Sequence, residues 1–476
     1  MGTLKPYPRY KDPGLPWLGL VPEHWQVLRG KALFQCIDVR STTGEEELLT
    51  VSSEYGVIPR RTANVTMFKA ASYVGYKLCW PGDLVINSLW AWSRGLGVSQ
   101  HHGIVSSAYG VYRSRSGDAK TARFMHYLVR STPFQWELQV RSKGIWISRL
   151  QLTDEEFLRA PFPVPSRDEQ AAIVRFLDGV NAGIERAIRG KRKLISLLIE
   201  QKQAIIQEAV TRGLNPRVRL KPSGLLWLGD IPEHWEVRRL RTFVRRIDQG
   251  ISPQAESFLA DDNSWGVLKA GCVNHGIFRE TEHKRLASEF AIDPNIVVRV
   301  GDILISRACG SPSLVGSAGK VNSLSYRLIL SDKTFRPIFK KFIDVDFAVY
   351  AMNSSYYREQ VRQAISGAEG LANNLPLSSL RNFVFAIPPL DEARNIAASL
   401  RGQLRQSDTL IACLERDIAL LREYRLRVVA DSVGGKIDLR EFELPTSLIG
   451  DGELAIDSVE VDDEDELVEE TTDAQN

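Results

Sequence analysis

The sequence predicts an α+β protein: two tandem mixed α/β domains separated by long helices that form an antiparallel coiled coil. Two observations predict this fold class. The 476-residue chain contains one motif-bearing unit twice. Each copy ends in a long segment whose apolar residues follow the four-three spacing typical of a coiled coil. Pairing two equivalent helices in antiparallel fashion relates the copies by an approximate two-fold axis. We therefore expect a dumbbell with pseudo-two-fold symmetry.

The internal repeat is clearest in a W-L-G-x-x-P-E-H-W string. Residues 15–27 contain this string, and residues 225–237 contain it again 210 positions later. A Gly-Asp turn followed by an apolar run occurs at residues 82–86 and again at 301–305. Because strings of this length do not recur by chance, the chain consists of two copies of one unit.

The spacing between the copies changes along the unit. The offset is 219 at the Gly-Asp turn and 223 from Phe124 and Phe347 onward. It remains 223 through the P-x-x-D-E runs at residues 165–169 and 388–392. Each unit is therefore predicted to have a variable first part and a later part of fixed length. Short β-rich runs predict strands in each variable part, at residues 84–86, 111–113, 303–305 and 326–330.

The long helices have recognisable starts and ends. Ser166-x-x-Glu169 is a capping-box signature for the first helix, whereas Pro389 occupies the cap position in the second copy and leaves Asp391 for that role. Glycines after each periodic segment predict the helix ends. The predicted seam residues are Ile184, Ile188, Ile195, Leu198 and Ile205 in the first helix and Ile411, Leu414, Ile418, Leu421 and Val428 in the second.

Three basic residues, Lys191, Lys202 and Arg425, interrupt this seam. We expect their long stems to cover apolar neighbours. A helix of about 30 residues would be a spacer roughly 45 Å long. The alternative, that both helices belong to two separate bundles, does not explain why each follows a strand-rich domain. We expect five segments, at residues 1–165, 166–216, 217–388, 389–440 and 441–476.

The net charge of +3 conceals an asymmetric distribution. Residues 451–476 contain twelve Asp or Glu residues and no Lys or Arg. Removing these twelve from the 58 acidic residues leaves 46 against 61 basic ones, a body of about +15. A basic body suits a polyanionic partner. We expect the acidic tail to be disordered, and competition with nucleic acid for the basic surface is the alternative.

Several features predict a cytoplasmic protein. The five cysteines are scattered and form no C-x-x-C pair, which argues against a disulfide framework or a zinc site. No run of eighteen apolar residues is present, so we expect no membrane-spanning helix. The first six residues suggest neither a secretion signal nor a myristoylation site.

The sequence also lacks the motifs of the obvious enzymes. Pro388-Pro389 lies in the wrong context for an Asp/Asn-Pro-Pro-Tyr/Phe methyltransferase motif. Residues 316–320 lack the spacing and the hydroxyl of a phosphate-binding loop. His24 and His234 lie beside tryptophans in the repeated string, and we interpret them as structural. We therefore predict no catalytic residue, no bound cofactor and no metal in this chain.

The repeated W-L-G-x-x-P-x-H-W, P-G-D-x-x-I and P-x-x-D-E motifs resemble those of the specificity subunits of type I restriction-modification enzymes. The resemblance covers essentially the whole chain except the acidic tail. Two departures are Ala393-Arg394, where the first copy has Gln170-Ala171, and the tail beyond Arg440. Neither departure affects the motifs that carry the resemblance.

This resemblance implies a non-catalytic, DNA-binding subunit. Two target-recognition domains would each read one half of a bipartite, asymmetric site in double-stranded DNA. The helices would dock two methyltransferase subunits, and restriction subunits would join through the complex. S-adenosylmethionine, ATP and magnesium would then belong to the partner subunits.

The variable parts contain candidate DNA contacts. Arginine and asparagine are shaped for bidentate contacts to base edges, and lysine and arginine suit phosphates. An ordinary surface or packing role stays open for each. The candidates are Arg60, Arg61, Lys69, Asn87, Ser88, Trp90, Arg94 and Lys143 in the first domain and Lys269, Ser306, Arg307 and Ser311 in the second.

Two rival functions remain for the sequence. A standalone nuclease or methyltransferase would show activity in the purified chain. A coiled-coil adaptor would show no salt-dependent affinity for DNA.

Overall fold

The computed structural model describes residues 5–63, 72–144, 150–274, 276–287, 290–365 and 373–442. The chain divides into two compact units. Unit 1 comprises Met1–Lys191 with Glu415–Asn476, and unit 2 comprises Arg192–Leu414. Each unit therefore contains one mixed α/β domain together with half of each long helix. The predicted fold class is confirmed.

Unit 1 contains twelve strands and four short helices among its described residues, and the first long helix begins in it. The strands are β1 Tyr10–Lys11, β2 Val21–Pro22, β3 Gln26–Arg29, β4 Phe34–Cys36, β5 Leu49–Ser52, β6 Gly56–Pro59, β7 Lys77–Cys79, β8 Leu84–Ile86, β9 Leu96–Val98, β10 Gly103–Val105, β11 Gly110–Ser114 and β12 Pro161–Val164. The helices are α1 Gly30–Leu33, α2 Ala119–Val129, α3 Thr132–Arg141, α4 Asp154–Arg159 and the long α5 Arg167–Arg212.

The centre of unit 1 is an antiparallel sheet in the order β4-β11-β8-β9. Helices α2 and α3 contribute Phe124, Leu128 and Phe134 to the core, and all three side chains are buried. The predicted strands at residues 84–86 and 111–113 are confirmed as β8 and as part of β11.

Unit 2 contains sixteen strands and four short helices among its described residues, and the second long helix begins in it. The strands are β13 Leu220–Pro222, β14 Asp230–Pro232, β15 Glu236–Arg239, β16 Val244–Gln249, β17 Ala255–Glu256, β18 Trp265–Leu268, β19 Val273–Asn274, β20 Ile277–Phe278, β21 His283–Leu286, β22 Ile303–Ser306, β23 Ala308–Cys309, β24 Ala318–Lys320, β25 Arg327–Ile329, β26 Thr334–Phe339, β27 Asn373–Asn374 and β28 Val384–Ile387. The helices are α6 Leu240–Phe243, α7 Val345–Ala351, α8 Ser355–Ala364, α9 Leu377–Asn382 and the long α10 Leu390–Val433.

Unit 2 repeats this plan with a larger sheet. The order is β16-β26-β22-β24-β20-β19, and a second sheet runs β17-β21-β18-β25. Strands β22 and β24 pair antiparallel, as β8 and β9 do in unit 1. The predicted strands at 303–305 and 326–330 are confirmed as β22 and, in their central residues, as β25.

The long helices are longer than the predicted 30 residues. Helix α5 has 46 residues and α10 has 44. Their first turns pack into the domain that precedes them. Ile173 and Leu177 join the core of unit 1, and Ile396 and Leu400 join the core of unit 2. The apolar seam therefore begins only after these turns.

The helix pairing is antiparallel within each unit. In unit 1, Lys191 pairs with Asp417 at 2.7 Å, and Glu185, six residues earlier, pairs with Arg425, eight residues later. Partner numbers in unit 1 fall along α10 as they rise along α5. In unit 2, Lys202 of α5 pairs with Asp408 of α10. The three seam-interrupting cations thus form ion pairs across the coil, in addition to the stem packing that the sequence predicts.

The ten predicted seam residues are buried or half-buried. Of these, Ile184, Ile188, Leu414, Ile418 and Val428 are buried, and Ile195, Leu198, Ile205, Ile411 and Leu421 are half-buried. Among the helices of the described ranges, none is long and apolar enough to cross a membrane.

Candidate nucleic-acid interface

The repeated Gly-Asp turn fixes the central sheet in each domain. Asp83 accepts two hydrogen bonds of 2.8 Å from Arg113 on the neighbouring strand β11. Asp302 accepts a 3.0 Å bond from Arg336 on the equivalent strand β26. The hydrogen bond that Arg113 donates to Asp83 raises the pKa of Arg113. The Asp of this motif therefore holds the strands that precede the candidate DNA contacts.

Two equivalent loops leave this scaffold. The β8–β9 loop comprises residues 87–95, and the β22–β24 loop comprises residues 307–317. The equivalence is confirmed by matching bonds at the loop bases. The backbone N–H of Asn87 donates to the Gly95 carbonyl at 2.8 Å, and that of the equivalent Ser306 donates to the Ser317 carbonyl at 2.9 Å. The loops differ in length and in sequence, although equivalent backbone hydrogen bonds close their bases.

The β8–β9 loop carries four of the predicted contacts, and much of it is fixed internally. Asn87 is buried, and its amide donates to Tyr109 at 3.2 Å and accepts from the Leu89 backbone at 3.2 Å. Ser88 donates to Ala108 at 3.2 Å. Because these polar groups are occupied, Asn87 supports the shape of the loop rather than presenting a free amide.

The aromatic side chains of this loop stack on each other. The Trp90 and Trp92 rings lie 6.0 Å apart at 16°. Trp92 also donates its ring N–H to Leu89 at 2.9 Å. Both side chains are half-buried, so each retains an exposed part.

Arg94 ends the loop in a left-handed conformation, with φ of 62°. Burial, together with the nearby Arg425 guanidinium, lowers the pKa of Arg94, and Glu54 opposes this shift. Its Nε has no hydrogen-bond partner among the described residues. Arg94 thus faces a cluster of charged groups within unit 1.

Arg130, whose guanidinium lies near those of Arg94 and Arg425, anchors the surrounding backbone. Its guanidinium donates to five carbonyls, those of Ser52, Ser53, Glu54, Arg94 and Leu96. Burial lowers the pKa of Arg130, as do the nearby guanidinium groups. The side chain at the C-cap of α2 therefore holds both the turn after β5 and the end of the β8–β9 loop.

The other first-domain candidates lie in different segments. Arg60 and Arg61 lie in the short 3-10 turn Arg60–Thr62 after β6, where Arg61 pairs with Glu47 at 2.7 Å. Lys143 follows α3 and pairs with Glu156 at 3.0 Å while remaining mostly exposed. Lys69 lies outside the described residues. Lys143 lies near the β8–β9 loop, because it forms an isolated β-bridge with Gln151 and the next residue, Leu152, donates to the Ser88 carbonyl at 2.9 Å.

The second-domain candidates divide into buried and exposed groups. Ser306 is fully buried, and its hydroxyl donates to Ala270 at 3.5 Å, so it does not reach the surface. The β strand that contains it passes through the core, which the sequence pattern did not reveal. Arg307 is half-buried, donates to the Asp332 carbonyl at 2.8 Å and lies over the Phe335 ring.

Two further candidates of this domain are accessible. Ser311 is exposed in the β22–β24 loop, with its hydroxyl 2.7 Å from that of Ser313. Lys269 lies 3.6 Å from Glu282 and is partly exposed. The structure thus brings Arg307 and Ser311 together in one loop and places Lys269 after the separate strand β18.

The repeated histidines connect the first strands of each domain to its long helix. His24 lies 2.9 Å from Glu169, and His234 lies 2.7 Å from Glu392. Glu169 also completes the predicted capping box, since its backbone donates to Ser166 at 3.3 Å and its carboxylate accepts from the Ser166 backbone at 3.3 Å. This contact gives both histidines a structural role.

The second copy lacks this capping box. Asp391, predicted to cap α10, is exposed, and its carboxylate accepts from Arg394 at 3.3 Å. The first backbone bond of the helix runs instead from Ala393 to the Pro389 carbonyl at 2.9 Å. The Asp391 prediction is therefore wrong, because Pro389 supplies only a backbone acceptor and the Asp391 side chain points to solvent.

Sequence reasoning missed two residues that contact the loops. Gln135 of α3 donates to the Trp92 carbonyl at 2.7 Å. Arg358 of α8 donates to the carbonyls of the β22–β24 loop. The two positions differ by 223, the offset of the fixed-register part. The shared register shows only that the two positions are equivalent, because a Gln aligned with an Arg gives no sign of a contact to a loop.

No metal site is evident in the described ranges, where no three His, Cys, Asp or Glu side chains cluster. Burial raises the pKa of Cys272 to about 12, and of Cys79 to about 11, so neither buried thiol is a thiolate at neutral pH.

The chain is similar to specificity subunits of type I restriction enzymes. It is 25% identical over 307 residues to the MjaVIII specificity subunit of Methanocaldococcus jannaschii, covering 64% of this chain and 68% of that one. It is 29% identical over 220 residues to the StySPI subunit of Salmonella potsdam, covering 44% of each. It is 26% identical over 188 residues to the EcoEI subunit of Escherichia coli, covering 39% of this chain and 32% of that one. The alignments thus span less than half of the length of two of these relatives.

The fold is similar to that of a solved chain from a study of complex assembly and conformational transition of the type I R-M system. The TM-score is 0.55 at 18% identity, over 87% of this chain and 98% of that one. No protein-family model matches the chain.

Fold and comparisons together define a class: a tandem pair of mixed α/β domains, each followed by a long helix. Within that class, the repeated motifs and the curated relatives show that the chain is similar to the specificity subunits of type I restriction enzymes. The family resemblance that the sequence indicated is confirmed.

Proposed function

We propose that this chain provides the DNA-sequence specificity of a type I restriction-modification complex. Each α/β domain reads one half of a bipartite, asymmetric site in double-stranded DNA. The two long helices hold the domains and dock two methyltransferase subunits, through which restriction subunits join.

One observation carries this proposal. The two domains share the Asp–Arg pair of the central sheet, the paired strands at the loop base and the His–Glu contact, yet they present unlike loops. The β8–β9 loop presents tryptophans, and the β22–β24 loop presents serines and Arg307. A common scaffold with different loops suits two readers of different base sequences.

The chain contributes no catalytic group in this proposal. S-adenosylmethionine, ATP and magnesium bind to the partner subunits, and the complex works in the cytoplasm. Phosphate contacts supply much of the affinity for DNA, and contacts to base edges supply the discrimination.

The test is genome-wide adenine methylation in a host that carries this chain and its neighbouring methylating subunit. Deleting this chain should abolish one asymmetric, split methylated motif. An unchanged methylome in the deletion strain would contradict the proposal.

Binding of the assembled complex to a duplex that contains the motif separates the proposal from a DNA-independent adaptor. The affinity should fall steeply between about 50 and 200 mM salt, as counterion release requires. An adaptor would show no such binding at either salt concentration.

A further inference from the structure

The two loops are held from the same position of the scaffold. Helices α3 and α8 begin 223 residues apart, at Thr132 and Ser355. Gln135 and Arg358 are therefore the fourth residue of their respective helices. In each domain this residue points its donors at the backbone of the loop that follows the Gly-Asp strand.

The contacts differ in number between the domains. Gln135 donates once, to the Trp92 carbonyl at 2.7 Å. Arg358 donates to Ser313 at 2.6 Å, to Pro312 at 3.4 Å and to the Val315 carbonyl. From this helix position, the longer β22–β24 loop thus receives three bonds and the β8–β9 loop receives one.

The donors themselves are held firmly. Next to Gln135 on α3, Phe134 is fully buried in the core of unit 1. Next to Arg358 on α8, Tyr357 is fully buried, and its hydroxyl donates to the Gly316 carbonyl at 2.9 Å. Because both helices are fixed by core packing, they set the position of the loop backbone rather than following it.

A bond to a backbone carbonyl carries no base information by itself. It does determine where the side chains of the loop lie, and bidentate contacts to base edges tolerate little displacement. Loss of such a bond should therefore weaken discrimination between bases more than it weakens contacts to phosphates. This effect should be confined to the half-site that the affected loop reads.

We propose that Gln135 and Arg358 are positioning residues for base discrimination, each acting on the loop of its own domain. This inference rests on the proposed function, in which these loops meet the DNA. Arg358 should have the larger effect because it makes more bonds. The geometry also predicts independence, since each residue contacts only the loop of its own unit among the contacts described for the structure.

The experiment uses the complex of this chain with its methylating partner. The methylome of the wild-type host first identifies the split DNA motif that the complex methylates. A set of duplexes is then prepared, each with one substituted base pair in either half, and methylation rates are measured relative to the cognate duplex. A single wrong base pair should slow the wild-type complex by about 10- to 100-fold.

Arg358→Ala should reduce this discrimination about tenfold in one half-site and leave the other half unchanged. Gln135→Ala should reduce it about threefold in the opposite half. Arg358→Gln introduces into the second domain the residue type that the first domain has at this position. This variant should give an intermediate loss of base discrimination. It also serves as the milder variant if Arg358→Ala does not fold.

The matched controls are Arg362→Ala and Gln139→Ala, one helical turn further along. These two positions are also 223 residues apart, and both side chains are exposed, Arg362 to 76%. Neither control should alter discrimination in either half. Melting temperatures of all variants report whether folding is retained.

A merely structural role would slow methylation of every duplex alike and leave the discrimination ratios unchanged. That result, or an equal loss in both halves from either variant, would overturn the inference while the proposed function stands. A wild-type complex that methylates no split motif would overturn the proposed function, and the inference with it.

Discussion

A His–Glu contact holds the first turn of each long helix, but the burial and the further hydrogen bonds of the glutamate differ between the two units. In unit 1, the side chain of Glu169 is only 5% exposed and accepts hydrogen bonds from His24, Trp25 and Ser166. Desolvation disfavours its ionised form, but these bonds outweigh that effect and lower the pKa of Glu169.

In unit 2, the equivalent Glu392 is 31% exposed and accepts from His234 at 2.7 Å. The ring N–H of Trp235, which corresponds to the Trp25 donor, has no hydrogen-bond partner among the described residues. Duplication has therefore preserved the register and the His–Glu pair, while the surrounding hydrogen bonds have diverged. Gln135 and Arg358 likewise occupy equivalent positions, but their hydrogen bonds to the loops have diverged.

The largest effect should come from the register-equivalent residues Arg130 and Asn353. Arg130→Met removes a donor from five carbonyls and should lower the free energy of unfolding of unit 1 by about 4 kcal/mol. Asn353 bonds twice to Ala318 and once to Val349, so Asn353→Leu should cost unit 2 about 2 kcal/mol. Urea denaturation followed by hydrogen–deuterium exchange measures each unit through its own peptides. Equal losses in the two units would contradict the comparison.

Removing the helix-start carboxylates should have the next largest effect. Glu169→Ala leaves the buried Trp25 ring N–H unpaired and removes the bonds from His24 and Ser166, so it should destabilise unit 1 by about 3 kcal/mol. Glu392→Ala removes a partly exposed pair and should destabilise unit 2 by about 1 kcal/mol. The same exchange measurement, on peptides from the first turns of α5 and α10, compares them. A larger loss of stability in unit 2 would show that burial does not determine how much this carboxylate contributes to stability.

Glu169 should also make the stability of unit 1 sensitive to acid. The pKa of Glu169 is lowered below its ordinary value of 4.5, so the folded state binds a proton less readily than the unfolded state. The resulting stability is fully present above about pH 4.5 and is lost as the pH falls through the lowered value. Glu169→Gln should therefore flatten the loss of unit 1 stability in this acid range. Unfolding measured between pH 3 and pH 6 tests this, and an unchanged slope would contradict it.

The smallest effects should come from the coiled coil. Lys202 and Arg425 occupy equivalent positions, 223 residues apart. Lys202 pairs with Asp408, which is more than half exposed, so Lys202→Met should change stability by about 0.5 kcal/mol or less. Arg425 pairs with both Glu185 and Glu54, so Arg425→Met should cost about 1 kcal/mol. Hydrogen–deuterium exchange rates in the middle of α5 and α10 measure the loss of stability in each variant. A larger loss from Lys202→Met than from Arg425→Met would contradict this prediction.

Much of the architecture could be predicted because it depends on repetition. The W-L-G-x-x-P-E-H-W string, the offset of 223 and the heptad spacing are all properties of one sequence compared with itself. Capping by Ser166 was predictable because a capping box is local. The true helix length was not, because the turns that contain Ile173 and Ile396 pack into a domain whose shape the sequence does not show.

The candidate interface was less predictable for a physical reason. Residue type indicates what a side chain can bind, and tertiary packing determines whether it is available. Asn87 and Ser306 have suitable chemistry, but both are buried by strands that are continuous with the core. Gln135 and Arg358 act through backbone carbonyls on distant segments, so no local motif marks them.

The most direct test of the central claim is an exchange of one domain. Residues 1–165 are replaced by the corresponding residues of a related specificity subunit, and the methylome of the host is read before and after the exchange. If each domain reads one half-site, only one half of the split motif should change, and the other half should remain as in the wild type. A change in both halves, or in neither, would contradict two independent readers on a common scaffold.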